Sequence, residues 1–166
     1  IYDVHQFTQI FGGGVMELKF LTFHLGREVF AINIMKVERV KEYEKTTRMP
    51  NIADYVEGII NLMGEIIPII NLRKKFMLED FDNKEKTKVI VVKLENGKKV
   101  GFLVDDVREV LTVTEDVIDE PPAHVAGMAN AKFISGVIKL PNEMILTLEV
   151  DSLLTSEEKV ALANLS

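Results

Sequence analysis

The residues best able to do chemistry in this chain are three histidines, one adjacent acidic pair and two short motifs that could hold anions. His5, His24 and His124 are far apart, and none has an acidic partner at a spacing that marks a catalytic pair. His24 falls in a strand-like run beside a turn, and His124 follows Pro121-Pro122 in a loop. Asp105-Asp106 could suggest a shared proton or metal, but neighbours on a strand point to opposite faces. Gly12-Gly13-Gly14 lacks both the following Gly-Lys-Ser/Thr and the preceding strand of a phosphate loop, so it reads as tail. Arg73-Lys74-Lys75, near Glu79 and Asp80, reads as a solvated turn or short helix. Catalytic residues, metal ligands and cofactors are all expected to be absent. The alternative from another class is a small-ligand-binding or hydrolytic β-barrel using Asp105, Asp106 and His124.

The elements that would position such groups are mostly strands. Short runs of Val, Ile and Phe flank Gly26-Arg27, Met63-Gly64, Asn96-Gly97 and Pro141-Asn142, and each reads as a hairpin. Met144, Leu146, Leu148 and Val150 alternate with other residues as in a strand with one face on a core, whereas Val89 to Val92 reads as buried on both faces. Thr155 with Glu158 three residues later forms a capping box that opens a C-terminal helix.

Of the 166 residues, 47% are hydrophobic, enough for a core without disulfides or metals. The net charge is −6 with no basic stripe, which argues against nucleic acid as a partner. The chain has no cysteine, which fits a reducing compartment, and its longest apolar run, Ile66 to Ile70, is far too short to span a bilayer.

The chain also repeats itself. Gly58 to Leu72 aligns without a gap on Gly136 to Val150, and Ala31-Ile32 with Val37 and Val40 is spaced as Gly101-Phe102 with Val107 and Val110. Each copy holds about five strands, which suits a small closed barrel that hides its edges. Glu79 to Lys88 is charged and poor in apolar residues, as a connection would be. The expected division is a flexible or trimmed tail at 1–15, a first barrel at 16–84, a second at 85–152 and a helix at 153–166.

Val56 to Arg73, with Gly58-Ile59-Ile60-Asn61-Leu62 leading through a Met63-Gly64 turn to an aliphatic-Pro68 strand, resembles the signature of the CheW family of chemotaxis coupling proteins. Phe20 to Val40, Val100 to Val110 and Met144 to Leu154 resemble it in order, so the likeness spans roughly residues 17 to 160. The resemblance implies an all-β fold of two similar SH3-like five-stranded β-barrels packed side by side, with a short C-terminal helix. It also implies a non-enzymatic adaptor, monomeric alone and cytoplasmic, at receptor arrays under the inner face of the membrane without inserting into it. Its partners would be the regulatory domain of the histidine kinase CheA and the cytoplasmic tip of chemoreceptors. A CheW-like domain cut from a larger chemotaxis protein fits the same residues.

The resemblance further places a receptor-binding groove at Val37, Gly58, Val107 and Val110. Met63 stands where the family usually has Arg, and Arg39 stands where an acidic residue is common, so both join the groove with altered chemistry. If those family residues pair, replacing both together leaves no partner stranded and frees Met63 for apolar contact.

Overall fold

The computed structural model describes residues 10–11, 15–122 and 131–165. Its strands are β1 (Ile10–Phe11), β2 (Val15–Leu25), β3 (Glu28–Asn33), β4 (Val37–Glu42), β5 (Val56–Leu62) and β6 (Glu65–Asn71), then β7 (Lys88–Lys93), β8 (Lys99–Val104), β9 (Asp106–Thr114), β10 (Ile118–Asp119), β11 (Ile134–Lys139) and β12 (Met144–Leu148). Helix α1 (Leu72–Lys75) follows β6, and α2 (Ser156–Ala163) follows β12. The four expected turns join β2 to β3, β5 to β6, β7 to β8 and β11 to β12, each an antiparallel pair.

The strands form two barrels that do not follow the linear division. One sheet has the order β4-β7-β8-β6-β5, and a bridge from Thr47, just past β4, to Ile59 closes it. In the other, β2, β3, β12, β11 and β10 run in order while β9, which leads into β10, pairs with β2. The first copy therefore lends its β2–β3 hairpin to the barrel of the second, and the second lends β7–β8 to the barrel of the first. The boundaries 16–84 and 85–152 delimit the duplicated units, not the barrels. The cause is the length of the crossovers: Ile34–Lys36 is one 3-10 turn between β3 and β4, and Asp105 alone separates β8 from β9. Neither is a tight reversing turn, so the chain runs on into the neighbouring sheet.

Within the barrels the repeat holds to the residue. β3 pairs in parallel with β12 at Ala31 and Thr147, and β8 pairs in parallel with β6 at Gly101 and Ile69, matched positions in the two copies. The ladders slip between Val56 and Gly58 and between Ile134 and Gly136, so each matched glycine follows a bulge.

Period-two alternation sorts the β2–β3 side chains between two cores. Leu18, Phe20, Val29 and Ala31 join Ile138 and Ile145 inside one barrel, while Leu21, Phe23, Leu25, Phe30 and Ile32 join the larger cluster that fills the other barrel and the joint. Phe23 stacks on Phe30 at 5.9 Å between ring centroids, Phe30 meets Phe76 edge-on at 5.6 Å, and Phe76 stacks on Phe133 at 5.3 Å. Strand β12 is buried on both faces rather than one, because Ile145 points into one cluster and Leu146 and Leu148 into the other. Val89 to Val92 is buried throughout, as its apolar run predicts.

Two further expectations change. Within the tail, Ile10 and Phe11 pair with Met16 and Val15; His5, Gly12-Gly13-Gly14 and His124 lie outside the described residues. Arg73-Lys74-Lys75 does form the short helix α1, capped by the Asn71 carboxamide, but it is not simply solvated. Arg73 meets Asp105, Lys74 lies near Asp54 and Asp80, and Lys75 meets Glu158. The C-terminal helix carries the anticipated capping box between Thr155 and Glu158.

Candidate binding surface between and beside the barrels

Asp105 and Asp106 do not form a catalytic pair. The Asp105 carboxylate accepts Arg73 Nε at 3.1 Å, Arg73 Nη2 at 3.0 Å and the Gly26 N–H at 2.5 Å, so its acceptor sites are occupied. Asp106 accepts the Val107 N–H. Among the described residues no three His, Cys, Asp or Glu side chains cluster as metal ligands would.

Asp105 works instead as a fastener. It sits on the β8–β9 crossover, holds the β2–β3 turn through Gly26 and reaches Arg73 beyond β6. A second fastener mirrors it: Asp151, after β12, accepts the Glu95 N–H of the β7–β8 turn at 2.9 Å and lies 3.7 Å from Lys36 on the β3–β4 crossover. The alignment that sets Gly136 against Gly58 sets Asp151 against Arg73, so an acid in the second copy stands where the first has a base. Lys159 of α2 also reaches Asp151, at 3.2 Å.

Helix α2 leaves one barrel and docks on the other. Lys75 Nζ lies 2.6 Å from Glu158 and 4.3 Å from the Tyr55 ring centroid. Burial acts to raise the Glu158 carboxyl, but hydrogen bonds from Lys75, Tyr55 and the Thr155 N–H outweigh it and hold the group down to about 2. Tyr55 is pushed upward by burial and by Glu158.

The six expected groove residues fall into three roles. Arg39 and Met63 come together on the surface, with Arg39 Nη2 3.5 Å from Met63 Sδ. Met63 is 82% exposed and held at φ 54° in the β5–β6 turn, where Gly64 donates to the Asn61 side chain. Val110 on β9 is 49% exposed, whereas Val37 and Val107 pack against the main core cluster. Gly58 is structural: at φ 147°, a Cβ there would collide with the Thr47 carbonyl oxygen.

The sequence reading missed the neighbours of that pair. Lys99 bridges Glu38 at 3.0 Å and Glu65 at 2.9 Å, and these three line a surface cavity of about 210 Å³ with Arg39, Met63 and Leu62. Nothing local signals this, because it takes the parallel β6–β8 register to bring Lys99 beside Glu65.

Residues 19–158 match the family model described as a CheW-like domain. The chain belongs to the CheW family. It is 34% identical over 154 residues to the chemotaxis protein CheW of Klebsiella aerogenes, covering 93% of this chain and 92% of that one. The chemotaxis protein CheW of Thermotoga maritima is 34% identical over 138 residues, 83% of this chain and 88% of the relative. Among solved structures, the scaffolding protein TtCheW of Thermoanaerobacter tengcongensis superposes with a TM-score of 0.77 at 30% identity, covering 86% of this chain and 96% of that one. With these relatives, the pair of SH3-like barrels is that of a chemotaxis coupling adaptor, a scaffold and not an enzyme. No helix among the described residues is long and apolar enough to cross a membrane.

Proposed function

We propose that this CheW-family chain joins the regulatory domain of a CheA-type histidine kinase to the cytoplasmic tip of a chemoreceptor, in the cytoplasm at the membrane-associated array. The receptor tip would dock on a groove bearing Arg39, Met63 and Val110, with Val37, Val107 and Gly58 shaping the strands beneath. The observation that carries this reading is the match of residues 19–158 to the CheW-like domain, and Met63 and Val110, 82% and 49% exposed, are the groove residues open to a partner. The two fasteners and the aromatic stack make the barrels one body, so a contact on either can bias the other only through differential binding.

Sedimentation of the chain mixed with a kinase regulatory domain and a receptor-tip fragment tests this. A ternary complex is expected, and absence of any complex at about 50 μM, a concentration that would populate even weak micromolar association, would sink the reading.

A further inference from the structure

Sulfur occurs in this chain only as thioether, since there are seven methionines and no cysteine. None of the described methionines is buried. The core is built from Phe, Leu, Ile, Val and Ala, while Met35, Met63, Met77 and Met144 stand among the exposed large apolar side chains. Two of these are held out in a strained backbone conformation. Met63 has φ 54° in the β5–β6 turn, and Met77 has φ 62° just past α1. At Met77 the N–H donates to the Lys74 carbonyl and the Leu78 N–H to that of Arg73, a helix ending that usually takes glycine. Left-handed backbone is disfavoured for any residue with a Cβ, so each site displays a thioether where glycine would be unstrained.

Met63 and Met77 are 82% and 85% exposed, so a small dissolved oxidant reaches both equally. They differ in one neighbour. Arg39 on β4 places Nη2 3.5 Å from Met63 Sδ, whereas no hydrogen bond to the Met77 sulfur is present among the described residues. A thioether is a weak acceptor, so the Arg39 contact is feeble in the reduced protein. A sulfoxide oxygen carries far more negative charge, and a hydrogen bond from a guanidinium to such an oxygen belongs to the strong, charge-assisted class.

We propose that Met63 is a site of reversible oxidation by hydrogen peroxide or an alkyl hydroperoxide, and that Arg39 directs the reaction to it. A lone pair of the Met63 sulfur attacks the terminal peroxide oxygen, and the S–O bond forms as the O–O bond breaks. The sulfur loses two electrons to the peroxide. The proton on the transferred oxygen passes to the departing hydroxide or alkoxide, giving water or an alcohol. Arg39 stabilises the oxygen on which negative charge develops and then holds the sulfoxide oxygen. A thiol-dependent sulfoxide reductase restores the thioether, oxidising two thiols to a disulfide and releasing water. With no described methionine in either core, the modification changes the surface of the turn and leaves the barrels intact: a repackable apolar tip becomes a polar group tied to β4. The chemistry needs no bound partner, so it holds independently of the coupling function.

The test exposes the full chain to dilute hydrogen peroxide and follows sulfoxide at Met63 and Met77 in the same samples by peptide mass spectrometry. Wild type is compared with Arg39→Ala and with Arg39→Lys, which keeps a cationic donor; the unchanged Met77 rate and the circular-dichroism melt report that both variants are folded. Met63 should oxidise at least about threefold faster than Met77 in the wild type, and Arg39→Ala should bring the two rates to within about 1.5-fold, while Arg39→Lys keeps most of the preference. Treating the oxidised wild type with a methionine sulfoxide reductase and dithiothreitol should return Met63 to the thioether. Equal rates at Met63 and Met77 in the wild type, a preference that survives Arg39→Ala, or a Met63 sulfoxide that resists the reductase overturns the assignment.

Discussion

Arg73 grips Asp105 with two nitrogens at 3.0–3.1 Å, and because Asp105 also holds the Gly26 N–H, this one contact ties a crossover, a hairpin turn and a helix together. The pair is only about a quarter exposed on each side, so water cannot fully replace either partner. Asp105→Ala should destabilise the fold by about 2 kcal/mol, more than an exposed ion pair would, because Arg73 and the Gly26 N–H both lose their acceptor. Urea unfolding should show a lower midpoint with an unchanged slope.

Gly58→Ala is expected to destabilise the fold by about 3 kcal/mol or above, since the new Cβ meets the Thr47 backbone and the φ of 147° strains any side chain. Thermal melting followed by circular dichroism measures it. A variant that melts like wild type would show that the bulge does not depend on a glycine at this position.

Val110 and Val107 separate the surface from the core. Val110→Glu should leave the melting temperature within about 2 °C of wild type, as exposed substitutions do, and weaken receptor binding. Val107→Glu should unfold the domain at much lower temperature, because its side chain packs against the main cluster.

Acid should loosen the C-terminal helix. The Glu158 carboxyl titrates near 2 when folded, below its ordinary 4.5, so its contribution is complete above about pH 5 and is lost as pH falls toward 2. Glu158→Gln should lower stability at neutral pH and flatten the pH dependence across that window. An unchanged acid profile would show that Glu158 does not fasten α2.

Much of this fold was legible from local pattern. The four turns, the capping box and the buried run Val89 to Val92 each depend on neighbours in sequence, and each stands where the residues placed it. The duplicated glycines were legible for the same reason, and both follow bulges. What sequence could not show was which hairpin joins which barrel, because two similar copies offer nearly equivalent partners and the choice lies in crossovers of three residues and one. The candidate site divides along the same line. The odd residues Arg39 and Met63 were visible against the family pattern, and their contact is real. Lys99 was not visible, because its place beside Glu65 is set by long-range register.

The exchanged hairpins also order the events of synthesis on the ribosome. Every strand of the barrel built from β4 to β8 exists once Val104 has been made, whereas β2 and β3, produced first, wait for β12, which ends at Leu148. At ordinary elongation rates that delay is on the order of a few seconds. During it, Leu21, Phe23, Phe30 and Ile32 can settle on the finished barrel while Leu18, Phe20, Val29 and Ala31 stay uncovered. The β2–β3 hairpin is therefore made before most of its barrel and sealed after the other one, and until β12 emerges its Leu18, Phe20, Val29 and Ala31 face is the one most open to aggregation.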